Sequence, residues 1–102
     1  MTRVVPKEFF LDVSELEAPE PFEQIIAIVR ELNQAQYIKV LHRKEPFPLY
    51  DVLTENGFKY RVVEQQQPKF CIFIWSGKDH DTGDYCQKLA QSLVKSESSH
   101  KE

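Results

Sequence analysis

Residues 18–47, APEPFEQIIAIVRELNQAQYIKVLHRKEPF, decide the fold because one tripeptide occurs in them twice. Glu20-Pro21-Phe22 recurs as Glu45-Pro46-Phe47. Proline is favoured in the first turn of a helix, where its missing N–H would have no partner within the helix. Each copy also follows a run of apolar residues typical of a strand, so each is predicted to lead from a strand into a helix.

The first helix is predicted to begin at about Pro21. Its apolar residues recur at the spacing of one helix face, as expected for a helix that packs on a sheet. These residues are Phe22, Ile25, Ile26, Val29 and Leu32. A second, short helix is predicted over residues 46–56, and Gly57 stands where helices often end in a left-handed residue.

Four segments have the apolar patterns of strands. Residues 9–13 and 37–42 precede the two helices, and residues 58–64 alternate apolar and polar side chains. Residues 69–75 form the most apolar segment, which predicts a central strand. In this order of elements, the first two strands should be parallel. Both helices should then lie on one face of the sheet, with their N-termini at the same edge.

A last helix is predicted over about residues 82–95, capped by Asp81 or Thr82. Its apolar stripe consists of Tyr85, Cys86, Leu89, Ala90, Leu93 and Val94. The chain is therefore expected to comprise a lead (residues 1–7), a domain (8–76), a C-terminal helix packed on the domain or on a partner (80–95) and a disordered polar tail (96–102).

Composition argues against several classes of function. The chain has 102 residues and a formal net charge of −3, and its Lys and Arg residues are mixed with acids. A nucleic-acid or membrane surface would show a concentrated basic stripe, so neither partner is expected. No apolar run is long enough to cross a membrane, and the first residues lack the apolar core of a signal peptide. The expected location is the cytoplasm, where thiols stay reduced.

The chain resembles the TusA/SirA-like family, and more narrowly an uncharacterised branch of TusA-like domains, over roughly residues 8–76. The matching segments are Leu11-Asp12-Val13, Ala18-Pro19-Glu20-Pro21-Phe22, Lys44-Glu45-Pro46-Phe47-Pro48-Leu49 and Asn56-Gly57-Phe58. The resemblance implies an α/β (α+β) fold, a two-layer βαβαββ sandwich with a four-stranded mixed sheet and two helices on one face. The C-terminal amphipathic helix lies outside the resemblance and is an addition to that fold.

The hallmark of the TusA/SirA-like family is Cys-Pro-x-Pro, whose thiol carries a persulfide. Pro19 and Pro21 match the two prolines, Glu20 matches the variable position, and Ala18 replaces the cysteine. A methyl group cannot become a thiolate or accept sulfur, so the sulfur-carrier role is not expected and no catalytic residue is predicted. The remaining Pro-x-Pro is expected to fix the path of the chain into the helix.

The edge where the two helices begin is the strongest candidate site. Unpaired N–H groups and the helix dipoles favour anions there, so a phosphate, a carboxylate or an acidic partner segment would suit it. The predicted ligand-binding residues are Pro19, Glu20, Pro21, His42, Arg43 and Lys44. The alternative is a solvated basic loop balanced by Glu20 and Glu45, because any helix N-terminus attracts anions.

His42 and the two cysteines are weaker candidates. Alternation places His42 with Ile38 and Val40 on the inner face, where it either serves proton transfer or metal binding or is satisfied by a hydrogen bond. Cys71 lies in the most apolar segment and Cys86 on the apolar stripe of the last helix, as expected of packing residues. No Cys/His cluster has zinc-ligand spacing, so neither a metal nor a cofactor is predicted.

The face of the sheet away from the first two helices needs a cover. Both registers of the most apolar strand are hydrophobic, so this strand is buried on both sides or exposes an apolar patch. The last helix is the expected cover, either folded back on its own sheet or packed on a partner, and the chain is a monomer or a homodimer. On the helix-covered face, the predicted core is Ile38, Val40, Phe58, Tyr60 and Val62.

These residues predict a non-catalytic, TusA-like accessory or binding module whose partner is a protein or a small anionic ligand. Two alternatives stay open. One is sulfur transfer or redox chemistry through Cys86 or Cys71. The other is a His-centred metal or haem site completed through His80 of a second subunit.

Overall fold

The computed structural model describes residues 5–66 and 70–99. Its elements, in chain order, are β1 (Lys7–Asp12), α1 (Glu20–Val29), β2 (Gln36–His42), α2 (Phe47–Glu55), β3 (Phe58–Glu64), β4 (Phe70–Ser76) and α3 (His80–Ser99). This order confirms the predicted βαβαββ core with an extra C-terminal helix. The first four residues of the predicted lead and the last three of the predicted tail lie outside the described residues.

One four-stranded mixed sheet has the order β1-β2-β4-β3. Strands β1 and β2 are parallel, and β4 runs antiparallel to both β2 and β3. Strand β4 is therefore an inner strand, as its apolar sequence predicts. It follows that β1, β2 and β3 point in the same direction and end at the same end of the sheet.

Helices α1 and α2 pack on one face of the sheet, as predicted. Their buried residues meet even-numbered residues of the two inner strands, and each fully buried aliphatic side chain stabilises the fold by about 1.5–3 kcal/mol. The cluster consists of Val13, Ile25, Val29, Ile38, Val40, Leu49, Leu53, Ile72 and Ile74. The predicted core residues Phe58, Tyr60 and Val62 pack against it.

Helix α3 lies on the opposite face of its own sheet and makes a third layer. The second core cluster consists of Tyr37, Val63, Cys71, Phe73, Trp75, Cys86 and Ala90. Five consecutive residues of β4, Cys71 to Trp75, are buried, because both of its faces are covered. This arrangement explains why both registers of that strand are apolar, and it needs no second subunit to cover the sheet.

The start of α3 differs from the prediction because its cap is Asp79, not Asp81 or Thr82. The Asp79 carboxylate accepts hydrogen bonds from the backbone N–H of Thr82 (3.3 Å) and from the Thr82 hydroxyl (2.7 Å). The same carboxylate accepts the N–H of Ala35 at 2.7 Å. Asp79 therefore ties the start of α3 to the loop before β2.

The lack of helix breakers after Gly83 explains the length of α3, and Gly83 itself explains how close the helix lies to the sheet. The helix runs to Ser99, past the predicted end at residue 95, because no Gly or Pro follows Gly83 to interrupt it. Gly83 itself is buried against the indole ring of Trp75. A Cβ atom at this position would lie 2.6 Å from Trp75 Nε1, so only glycine lets the first turn approach the sheet this closely.

Candidate functional site

The predicted site lies at the end of the sheet where β1 and β2 finish side by side. Asp12 is the register partner of Leu41, and Val13 N–H donates to the Leu41 carbonyl at 2.9 Å. The chain then leaves each strand through a short loop into a helix. Residues 17–22 and 42–47 therefore approach one another here, and together they are called the proline edge.

Helix α1 begins without a side-chain cap at Pro19, which follows a cis peptide bond from Ala18. Glu20 N–H donates to the Glu17 carbonyl at 3.0 Å, and Glu23 N–H donates to the Pro19 carbonyl at 3.1 Å. Glu20 and Glu23 also place two carboxylates in the first turn. The positive end of the α1 dipole is thus already complemented by the protein's own acids.

Helix α2 offers fewer free N–H groups than the sequence analysis expects. Pro46 and Pro48 have no N–H, and the amides of Phe47 and Leu49 donate to Glu45 (3.1 Å) and Pro46 (3.0 Å) carbonyls. The prolines that start the helix therefore remove the donors that would bind an anion. An anion at the start of α2 would therefore have to be held by side chains rather than by backbone amides.

The basic side chains of the proline edge are exposed. Arg43 forms an ion pair with Glu17 at 3.4 Å, with side chains that are 50% and 81% exposed. An ion pair this open to water contributes roughly 0–1 kcal/mol, so Arg43 can exchange it for another partner. Lys44 is also exposed, and so are Pro19 and Glu20, whereas Pro21 in the first turn of α1 is buried.

His42 is half-buried at the end of β2, and its Nδ1 accepts the backbone N–H of Lys44 at 3.2 Å. Burial lowers the pKa of His42, and the neighbouring Arg43 lowers it further. The ring is therefore neutral near pH 7 and orders the loop into α2. His80 lies at the opposite end of the sheet, and within residues 5–66 and 70–99 no group of three His, Cys, Asp or Glu residues could hold a metal ion.

Two exposed phenylalanines at the proline edge were not predicted as site residues. Phe22 is 37% exposed and Phe47 is 65% exposed. The prediction that Phe22 belongs to the buried stripe of α1 is wrong, because Pro21 takes the buried position in register with Ile25 and Val29. The repeated Glu-Pro-Phe was the available signal, since it puts one aromatic residue after each helix-starting proline.

Phe47 belongs to an aromatic group that fixes the start of α2. Its ring meets Tyr50 edge-on with centroids 6.0 Å apart, and Tyr50 stacks on Tyr60 of β3 with centroids 4.4 Å apart. The Tyr50 hydroxyl donates to Glu45 at 3.1 Å. Burial, followed by this bond to Glu45, raises the pKa of Tyr50. The exposed Phe47 is thus held on an ordered support.

Neither cysteine lies at the proline edge or at the surface. Cys71 and Cys86 are both 0% exposed and belong to the core beneath α3. Burial raises the pKa of both thiols, that of Cys86 to about 12. A thiol with a raised pKa forms little of the thiolate that sulfur transfer or oxidation requires.

The protein is an α+β domain whose candidate site lies where α1 and α2, both with proline in the first turn, begin. Residues 10–76 match the family described as "Uncharacterized conserved protein (DUF2249)", and the chain belongs to this family. The match ends at the last residue of β4, so α3 lies outside the matched part. No curated protein and no solved structure matches the chain. In the part of the chain that the structure describes, no helix is both long enough and apolar enough to cross a membrane.

Proposed function

We propose that the protein is a non-catalytic accessory module related to the TusA/SirA-like sulfur carriers, and that its proline edge binds a protein partner or a small anionic ligand. The observation that carries this proposal is the exposed Ala18 at the position that corresponds to the carrier cysteine. The shape of the helix start is retained, since Pro19 and Pro21 both remain, but the reactive atom is replaced by a methyl group. Such a surface can bind a partner but cannot carry sulfur at position 18.

A protein partner suits the proline edge better than a free anion. Phe22 and Phe47 expose apolar rings beside the cationic Arg43 and Lys44, and aromatic residues and arginine are enriched in protein interfaces. A large exposed ring on an ordered support costs little conformational entropy when it is buried by a partner. We therefore take a protein segment with acidic and apolar side chains as the leading partner.

A small anionic ligand is the second candidate because Lys44 is exposed and Arg43 is held only by a weak ion pair. Two features weaken it. Glu20 and Glu23 repel an anion at the start of α1, and the start of α2 lacks free N–H groups. A phosphate or carboxylate would therefore bind mainly to the two cationic side chains.

The two other candidate functions have less support. Sulfur transfer or redox chemistry would need Cys71 or Cys86 to leave the core, since both are fully buried. A His-centred site would start from His42, which already accepts a hydrogen bond and gains no second ligand among the described residues. We infer the cytoplasm as the location, which agrees with two free cysteines.

Site-specific photo-crosslinking tests the leading partner. A benzophenone amino acid would replace Phe47 in the full chain expressed in its native cells, and the same replacement of the exposed Lys88 on α3 would be the matched control. We expect one defined protein adduct from position 47 that position 88 does not give. The double variant Arg43→Ala/Lys44→Ala should reduce the adduct by about tenfold, equivalent to about 1.4 kcal/mol.

A titration with inorganic phosphate, followed by amide NMR, tests the second candidate. Saturable shifts confined to residues 18–22 and 42–47, abolished in the same double variant, would identify a small-anion site. If neither an adduct at position 47 nor phosphate shifts at this edge were found, the proposed function would be wrong. An adduct of equal yield from position 88 would contradict it as well.

A further inference from the structure

Strand β1 is an end strand of the sheet and, within residues 5–66 and 70–99, has a neighbouring strand on one side only. The N–H groups of Lys7 and Val13 both donate to carbonyls on the β2 side, at 2.8 and 2.9 Å. Since the register between them is continuous, the backbone groups of the odd-numbered residues point to β2. The N–H and C=O groups of Glu8, Phe10 and Asp12 therefore point outward, and these three residues are called the β1 edge.

The outward groups of the β1 edge form no backbone hydrogen bond within the described part of the chain. A row of such groups is a template on which an extended segment can add a further strand. The side chain of Phe10 is 55% exposed beside this row. Phe9 and Leu11 pack on the α1 and α2 side of the sheet, so Phe10 lies on the α3 side. The core beneath α3 contains no residue of β1, which leaves this ring uncovered.

Two exposed carboxylates flank the ring of Phe10 on the same face of β1. Glu8 Oε1 accepts the hydroxyl of Tyr37 at 2.7 Å, and Asp12 Oδ1 accepts the hydroxyl of Ser14 at 2.6 Å. The second oxygen of each carboxylate makes no hydrogen bond among the described residues. Each carboxylate is thus fixed by one oxygen and can meet a cation with the other.

The two lysines nearest to the β1 edge do not lie on its outer side. Lys39 is the register neighbour of Phe10 on β2, across the ring from the outer side. Lys7 extends over the ring of Phe9, 5.3 Å from its centroid, on the other face of the sheet. A strand that approached β1 from outside would therefore meet a negative, an apolar and a second negative side chain in turn.

We propose that the β1 edge binds an extended segment of a partner protein, with Lys or Arg opposite Glu8 and Asp12 and an apolar side chain opposite Phe10. The backbone hydrogen bonds provide affinity, and the alternating side chains select the segment. A second copy of the chain fits less well. Pairing two β1 strands about Phe10 would place Glu8 of one copy opposite Asp12 of the other, and like charges directly opposite destabilise a strand pair.

A short capped peptide in which lysine, isoleucine and lysine alternate with threonine is the probe. The same peptide with glutamate in place of lysine is its control. We expect the lysine peptide to bind the ¹⁵N-labelled full chain with a dissociation constant on the order of 1 mM, and the glutamate peptide to bind at least about tenfold more weakly.

Amide exchange with water, measured by NMR, shows whether the peptide pairs with the backbone. At a lysine-peptide concentration about four times the dissociation constant, exchange of the Glu8, Phe10 and Asp12 amides should slow about fivefold, because bound chains are protected. The amides of Phe9 and Leu11 already point to β2 and should keep their rates. This alternation distinguishes strand addition from a peptide that only contacts the side chains.

Paired variants test the role of charge. Glu8→Gln/Asp12→Asn removes both charges but keeps oxygens that accept the existing hydrogen bonds, and it should raise the dissociation constant of the lysine peptide by about tenfold. Asp51→Asn/Glu55→Gln removes two exposed acids of the same types on α2 and should change it by less than about twofold.

Three results would each overturn the proposal. Protection of the outward amides before any peptide is added would mean that a second copy or another segment of the chain already covers the β1 edge. Equal binding of the two peptides, or unchanged binding by Glu8→Gln/Asp12→Asn, would show that the charges select nothing. No residue changed here belongs to the proline edge, so a failure of this proposal is distinguishable from a failure of the proposed function.

Discussion

Helices begin differently at the two ends of the sheet. At the proline edge, α1 and α2 start on prolines without a side-chain cap, and the surrounding side chains are largely exposed. At the opposite end, α3 starts on the carboxylate of Asp79, which accepts three hydrogen bonds, and its first turn rests on Trp75. The comparison teaches that the ties between distant residues are concentrated at the α3 start, while the proline edge leaves most of its side chains exposed to solvent.

The largest expected effect comes from removing the α3 cap. Asp79→Ala should lower the free energy of unfolding by about 2–4 kcal/mol, because a lost cap costs about 1–2 kcal/mol and the Ala35 N–H loses its acceptor. Urea unfolding measures the change. Asp81→Ala, two residues along in the first turn, is the matched control and should cost less than about 1 kcal/mol. Equal losses in both variants would mean that Asp79 is an ordinary surface acid.

The second effect tests the close approach of α3 to the sheet. Gly83→Ala places a methyl group 2.6 Å from Trp75 Nε1 and 3.2 Å from two ring carbons. Overpacking costs about 1–3 kcal/mol, and the better helix propensity of alanine returns about 1 kcal/mol, so the variant should be less stable by about 0–2 kcal/mol. The indole NMR signal should shift as well. A variant more stable than the parent would show that the helix has room to move away from the ring.

Acid titration sharpens the comparison because each end has an aspartate with a lowered pKa. Burial of Asp79 opposes the shift, but hydrogen bonds from Thr82 and Ala35 lower its pKa below 3.8. This contribution to stability is therefore complete above pH 3.8 and is lost as the pH falls through the folded-state pKa. Asp79→Asn should therefore flatten the loss of stability below about pH 4.

Asp12, at the proline-edge end of β1, is the control for that titration. Its hydrogen bonds from the Ser14 hydroxyl and backbone N–H lower its pKa, but they are local and exposed. Asp12→Asn should change the acid limb of the stability curve less than Asp79→Asn does. The reverse order would place the stronger acid-sensitive tie at the proline edge, contrary to the comparison.

The layout of the fold was predictable from local patterns. Strand β3 has the predicted bounds, residues 58–64, because apolar and polar residues alternate over most of the segment and so fix the face that each side chain takes. The inner position of β4 followed from its two apolar registers. The packing of α1 and α2 on one face of the sheet followed from the order of strands and helices along the chain. For β3 and β4 the signal lies within one segment, and for the helices it lies in the order of the segments, so none of these predictions depends on a particular long-range contact.

The predictions that were wrong concern features that depend on contacts beyond one local pattern of sequence. Asp79, Asp81 and Thr82 are all suitable caps by type, and the choice of Asp79 is favoured by Ala35, whose N–H lies 44 residues away in sequence. The exposed position of Phe22 depends on Pro21 turning into the core.

The smallest effect on stability, and the sharpest chemical contrast, comes from Ala18→Cys. The position is exposed, so the free energy of unfolding should change by less than about 0.5 kcal/mol. The parent chain should show no rapid reaction with the thiol reagent DTNB, because Cys71 and Cys86 are fully buried, whereas the variant should release one equivalent of the reagent's thiolate per chain. Rapid reaction of the parent would mean that the core beneath α3 opens. It would then support sulfur transfer or redox chemistry through Cys71 or Cys86. A single reactive thiol at position 18 would instead show that the proline edge presents this position to solvent, so that the side chain at position 18, and not the fold around it, decides whether this edge carries a reactive thiol.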